Sequence, residues 1–173
     1  MSDTTFNNIT NARVYLNNTD LLGRVEEIKL PELKFLMRDW KGLGMFGKLK
    51  LPSGVDVLEG DAKWASFYPE VFAKCMNPFT GNQWQVRSNV EIYDSQGLSR
   101  EVPLVTFMTV RFESVGLGTF KPNDPVEYPS KFQCTYVKQV FDGKEVLEVD
   151  VLGNVFKING EDMLANFRRN TGG

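Results

Sequence analysis

Residues 131–151 read KFQCTYVKQVFDGKEVLEVDV, and the pair Asp142-Gly143 divides that stretch into two runs rich in β-branched and aromatic side chains. Asp followed by Gly supplies two residues that accept the left-handed backbone of the tightest hairpin turns. The stretch therefore reads as an antiparallel hairpin. Its outgoing strand, Lys131 to Phe141, carries Phe132, Cys134, Tyr136 and Val140 on one side. Its return strand, Lys144 to Val151, turns Leu147, Val149 and Val151 inward and leaves Val146, Glu148 and Asp150 opposite.

The same period of two extends toward the N-terminus. From Trp84 to Tyr93, Trp84, Val86, Val90 and Ile92 share a face with Ser88, while Gln85, Arg87, Asn89 and Glu91 share the other. That is a half-buried strand. Asp94-Ser95-Gln96-Gly97 marks a turn, and a long strand follows from Arg100 to Glu113. Val102, Leu104, Met108, Val110 and Phe112 give it a core face with Thr106. Its second face mixes Val105 and Phe107 with Glu101, Arg111 and Glu113, a composition that suits cover by another chain better than open water. Ala12 to Leu16, Val25 to Leu30 and Asp61 to Phe67 are shorter strand candidates.

Two helices complete the inventory. Tyr68, Val71, Phe72, Cys75 and Met76 form one apolar stripe at helical spacing, with Pro69 at the start and Pro78 as the stop. Near the end, Asn159-Gly160 is expected to cap a helix with Glu161 and Asp162 in its first turn and Arg168 and Arg169 in its last. The expected fold is thus mainly β: a single domain over 1–173 with an antiparallel sandwich or barrel, one internal helix and one C-terminal helix.

The segment from about 32 to 59 stands apart. It holds Gly42, Gly44, Gly47 and Gly54, the cations Lys34, Arg38, Lys41, Lys48 and Lys50, and the large apolar residues Phe35, Leu36, Met37, Trp40, Leu43, Met45 and Phe46. A long connection in a compact domain is functional or disordered, and so many bulky apolar residues argue against disorder. Side chains that find no cover in their own domain are expected to find it on a neighbour.

Composition narrows the chemistry. The chain of 173 residues has a net charge of −2, without the basic excess of a nucleic-acid reader. It contains no histidine, which removes Ser-His-Asp, Cys-His and His-metal arrangements together. Met1 to Asp20 lacks the pattern of a signal peptide, and no run reaches the length of a membrane-spanning helix. Cys75 and Cys134 read as buried thiols in a reducing compartment, not as a disulfide. Gly42-Leu43-Gly44 lacks the strand-then-helix setting of a phosphate loop. Glu145, Glu148 and Asp150 read as an acidic strand edge, and Arg168-Arg169 as cations suited to a helix C-terminus. No catalytic, cofactor or metal residue is expected, and the chain is not expected to be an enzyme.

Two motif groups carry a family resemblance. Leu30-Pro31-Glu32-Leu33 is followed by Asp39-Trp40-Lys41-Gly42-Leu43-Gly44-Met45, and Asp142-Gly143-Lys144-Glu145-Val146-Leu147-Glu148-Val149-Asp150 by Ile158-Asn159-Gly160-Glu161-Asp162-Met163-Leu164. In order, spacing and length the chain resembles the major tail tube protein of contractile-tailed phages, a family that includes the tubes of R-type pyocins. Trp40 and Lys41 stand where that family usually has Tyr and Arg. The resemblance implies that six subunits close a ring around a continuous inner β-barrel and that rings stack head-to-tail into a hollow tube. It further implies a sheath protein outside and a tape-measure protein or passing DNA in the lumen, with baseplate and tail terminator proteins at the ends. The particle's tail is the implied location, after assembly in the host cytoplasm. The segment with Arg38, Trp40, Lys41, Gly42, Gly44, Met45 and Phe46 is the expected contact between rings, with Trp40 and Met45 as anchors. A type VI secretion tube protein and a monomeric sugar- or peptide-binding β-sandwich are the alternative readings; oligomeric state separates the second from the others.

Overall fold

The computed structural model describes residues 3–173; Met1 and Ser2 of the expected 1–173 domain lie outside the described residues. In chain order the elements are β1 (Phe6–Asn8), β2 (Ala12–Leu16), β3 (Thr19–Asp20), β4 (Val25–Lys29), β5 (Phe35–Trp40), β6 (Leu49–Val55) and β7 (Leu58–Trp64). They continue with α1 (Pro69–Cys75), β8 (Asn82–Asp94), β9 (Gly97–Val115), β10 (Tyr128–Phe141), β11 (Lys144–Asp150), β12 (Val155–Ile158), β13 (Glu161–Asp162) and α2 (Ala165–Thr171). The protein is mainly β, with two short helices. Every strand pairing is antiparallel.

The Asp142-Gly143 hairpin forms as the sequence predicts. Both residues adopt positive φ, 49° and 76°, so the turn twists with its strands and sets the β10–β11 pairing. Asn17-Asn18 and Asn159-Gly160 use the same positive-φ backbone at two further hairpins.

One sheet holds eleven of the strands, along the path β13-β12-β11-β10-β9-β8-β2-β3. It forks twice. The first half of β10 pairs with β7, from Tyr128↔Trp64 to Cys134↔Leu58, and its second half pairs with β11, from Tyr136↔Asp150 onward. On the far side, β8 pairs with β2 over Trp84–Ser88 and with β1 over Glu91–Tyr93. The division of β10 falls at a bulge between Cys134 and Tyr136, where Thr135 is the extra residue. That bulge corrects the expected faces: Phe132 and Cys134 are buried as predicted, but beyond it Val137 is buried, while Tyr136 and Val140 are only half-buried. An extra residue exchanges the two faces of everything that follows.

The main core lies where β7, β8, β9 and β10 turn their alternating faces toward α1. Trp64, Trp84, Phe72, Phe112, Phe132 and Met108 are its large members. Trp84 sits at its centre, with ring centroids 5.8 Å from Trp64, 5.7 Å from Phe112 and 6.2 Å from Phe132. Such aromatic pairs contribute about 0.5–1.5 kcal/mol each beyond area burial. The buried polar residues Asn82, Thr106 and Ser130 are partnered, whereas the buried indole N–H groups of Trp64 and Trp84 have no hydrogen-bond partner among the described residues. The Ser130 hydroxyl donates to the Ala62 carbonyl at 2.9 Å, and the Asn82 amide donates to the Lys74 carbonyl at 3.3 Å. A second, smaller cluster of Val90, Ile92 and Val102 lies toward the β8–β9 hairpin.

Two further expectations change. The strand predicted over Asp61–Phe67 runs instead over Leu58–Trp64, with Leu58, Gly60, Ala62 and Trp64 all inward. The C-terminal helix begins at Ala165, not after Asn159-Gly160. Glu161 and Asp162 form a short strand against Lys157 and Ile158, and Leu164 caps α2 without a side-chain bond. The Asn-Gly pair serves a hairpin turn, which competes directly with its use as a cap.

Candidate functional site

The segment 32–59 is not an irregular loop. Phe35–Trp40 and Leu49–Val55 pair with each other alone as a two-stranded ribbon, here called the arm, inserted between β4 and β7. Its root is tied down. The Asp56 amide donates to the Lys34 carbonyl at 2.9 Å, and the Phe35 ring meets Phe156 edge-on at 6.1 Å. Beyond the root the arm lies open. Every residue of β5 is exposed, with Leu36 at 45%, Met37 at 53% and Trp40 at 47%. A lone two-stranded ribbon is marginal in water, and burying one large apolar side chain is worth about 1.5–3 kcal/mol. An arm with seven such residues in the open is suited to being covered.

The structure gathers all seven expected site residues at the distal half of this arm. The Arg38 guanidinium lies over the Trp40 ring, 5.5 Å from its centroid. Lys48 pairs with Asp39 at 3.1 Å across the ribbon. Gly42 to Met45 close the tip: the Met45 amide donates to the Gly42 carbonyl at 3.2 Å, and the Gly42 amide approaches Met45 Sδ at 3.1 Å. Gly44 supplies the φ of +83° that the reversal needs. Lys41 and Phe46 project outward, whereas Met45 folds back, half-buried, to brace the tip. Leu43 and Phe46 stand out instead, at 106% and 104% exposure. Leu43 was missing from the expected set, although the turn chemistry around Gly42 and Gly44 marks it as the residue at the apex.

The second face of the long strands is the other open surface. Phe107, Val105 and Tyr136 are half-buried among Arg87, Gln85, Lys138 and Glu148. Lys138 reaches Glu145 at 3.7 Å. Desolvation, with the neighbouring Glu145 second, raises the Glu148 carboxyl above its usual range. Desolvation followed by the nearby acids raises the Tyr136 phenol. The acidic edge read in the sequence is not an edge: Glu145, Glu148 and Asp150 are half-buried on β11, which is paired with β10 on one side and β12 on the other, and they belong to a mixed-charge wall. Among the described residues no group of three His, Cys, Asp or Glu is placed to hold a metal.

The expected thiols are also placed. Cys75 and Cys134 are free and buried, and desolvation pushes both thiols up to about 12. At the C-terminus, Arg168 donates to both carboxylate oxygens of Asp162 and, at 2.8 Å, to the Asn154 carbonyl, holding α2 against β13 and the β11–β12 turn. That hydrogen bond keeps the Asp162 carboxyl below its usual range.

Comparison with known proteins accords with this geometry. A family model described as phage tail tube protein FII matches residues 6–172. The tail tube protein of Escherichia phage P2 is 26% identical over 160 residues, covering 92% of this chain and 93% of that one. The major tail tube protein of Serratia phage KSP20 is 25% identical over 152 residues, covering 87% and 86%. Among solved structures, a chain of the sheath–tube complex of an extracellular contractile injection system, PVC, superposes with a TM-score of 0.53 at 11% identity, over 75% of this chain and 87% of that one. A chain of the PVC sheath/tube terminator gives 0.54 at 11% identity, over 75% and 92%. At that identity the likeness is one of fold.

Proposed function

The chain belongs to the phage tail tube protein FII family, and from that premise we propose that it is the structural subunit of the inner tube of a contractile tail. Six copies close a ring by joining their sheets into an inner β-barrel, and rings stack through the arm into a hollow tube. Closure removes exposed sheet edges, and covering the arm removes a large exposed apolar surface. The tube is the rigid core driven through a target envelope when the sheath contracts, and it conducts DNA in a phage. Sheath and terminator proteins meet its outside and end, a baseplate nucleates it, and a tape-measure protein occupies the bore. Its work is mechanical, with no catalysis. A bore walled by alternating charges lets an anionic polymer slide without the many phosphate contacts that hold DNA fast.

The observation that carries this reading is the arm: an ordered ribbon with Trp40, Leu43 and Phe46 in the open. Negative-stain electron microscopy of the purified chain, with mass by light scattering, tests it. Hollow sixfold rings or tubes are expected. Leu43→Ser combined with Phe46→Ser should leave the melting temperature unchanged, since both side chains are free of the core, and should abolish tubes. A chain that stays monomeric at high concentration with baseplate extract added would end the tube reading.

A further inference from the structure

The arm is what one copy extends, and the same chain carries a surface that matches it. Two adjoining depressions, about 470 and 250 Å³ in volume, share Asp61 and Lys131 and form one trough over β4, β7, β9 and β10, the smaller one reaching the root of the chain's own arm at Lys34 and Asp56. The larger is within the range of clefts that bind ligands, and Val115, Gly116 and Pro129 give it an apolar lining. Around the trough stand six carboxylates, Glu27, Glu32, Asp56, Glu59, Asp61 and Glu113, against four lysines. The distal arm has the opposite balance: Arg38, Lys41, Lys48 and Lys50 against Asp39.

An arm does not fill the larger depression of its own chain. Its root packs on Phe156, on the rung that runs through Val149, Val137 and Met108. The larger depression lies on the rung of Ile28, Ala62, Ser130 and Val115. Along β10 those rungs are separated by the stretch from Ser130 to Val137, about 23 Å at the rise of an extended strand. From Glu27, which lines that depression, β4 runs on to Lys29 at the smaller one, where the chain enters the arm.

We propose that the trough is the receptor for the arm of a second copy, with Leu43 and Phe46 seated in the larger depression and the arm's cations facing Glu27 and Asp61. A projection and its receptor on separate regions of one chain make a heterologous contact, which propagates copy upon copy and does not close on itself between two. The inference rests on the tube reading and adds the surface on which each arm lands.

Two full-length variants test it, one Leu43→Cys and the other Ser114→Cys, mixed, assembled and mildly oxidised. The native thiols are buried and do not interfere. A covalent dimer joining one variant to the other is expected. Mixed tubes that yield no such dimer would overturn the trough while leaving the tube reading intact, and a mixture that fails to assemble under conditions where the parent chain fails as well would overturn both. As a second measure, Lys41→Glu should raise the concentration needed for tubes by roughly tenfold through like-charge contact. Adding Asp61→Lys to the same chain should restore it, and tubes that remain suppressed in that double variant would count against the pairing.

Discussion

Gly60 lies on the inward face of β7, where a Cβ would stand 2.5 Å from the Lys29 carbonyl oxygen and 2.5 Å from Phe132 Cζ. Neither neighbour has room to move, one being backbone and the other a ring fixed in the aromatic core. Gly60→Ala should therefore cost about 1–3 kcal/mol, as overpacking does. Gly143→Ala meets nothing within 4 Å and carries only the strain of its φ of +76°, about 1 kcal/mol. Urea unfolding of the two variants checks the order, and a smaller loss for Gly60→Ala would refute the packing account. The two thiols make a second prediction at this scale. With both values at about 12 and both side chains buried, Cys75 and Cys134 should resist a thiol reagent at neutral pH and react at once on unfolding. Gly143 was legible in the sequence because Asp-Gly between β runs is a local signal. Gly60 was not, because its need arises from Phe132 and Lys29, both remote in the chain.

At the scale of elements, α2 shows how a small helix is kept in place. It buries no residue of its own, so its position depends on Arg168 and its bonds to Asp162 and Asn154. The Asp162 carboxyl is depressed from the ordinary 3.8, chiefly by Arg168. A depressed carboxyl contributes stability that is present above its unfolded value and lost as pH falls through its folded one. Protection of the amides in residues 165–171, measured against their intrinsic exchange rates, should thus fall on acidification below 3.8, and Asp162→Asn should show the lower protection already at neutral pH. Exchange in Asp162→Asn that matched the parent's would remove the clamp from the argument. The sequence supplied the long strands β8 to β11 because alternation over many residues is hard to mistake. It did not reveal the bulge at Thr135, which exists because β10 changes partner from β7 to β11. It misassigned the start of α2 because Asn-Gly suits a cap and a hairpin turn equally. The arm was read as a loop because its two strands carry large apolar residues on both faces, which erases the period of two.

For the whole molecule, assembly should be visible in what a protease can reach. Lys41 and Lys48 sit in the exposed distal arm, so trypsin should cut the unassembled chain there first and spare it in tubes. Equal cleavage in both states would mean that the arm stays uncovered. The manner in which the arm joins the body has a further consequence, one of force. Its two legs continue β4 and β7, strands that lie side by side, and β7 is held to β10 through seven successive rungs from Tyr128↔Trp64 to Cys134↔Leu58. Tension pulled along the arm enters these strands lengthwise, at right angles to their hydrogen bonds. The rungs are then loaded in shear and must fail together, where a peeling load would open them one at a time. A thrust or recoil passing from copy to copy through the arms would meet the strongest direction of each sheet.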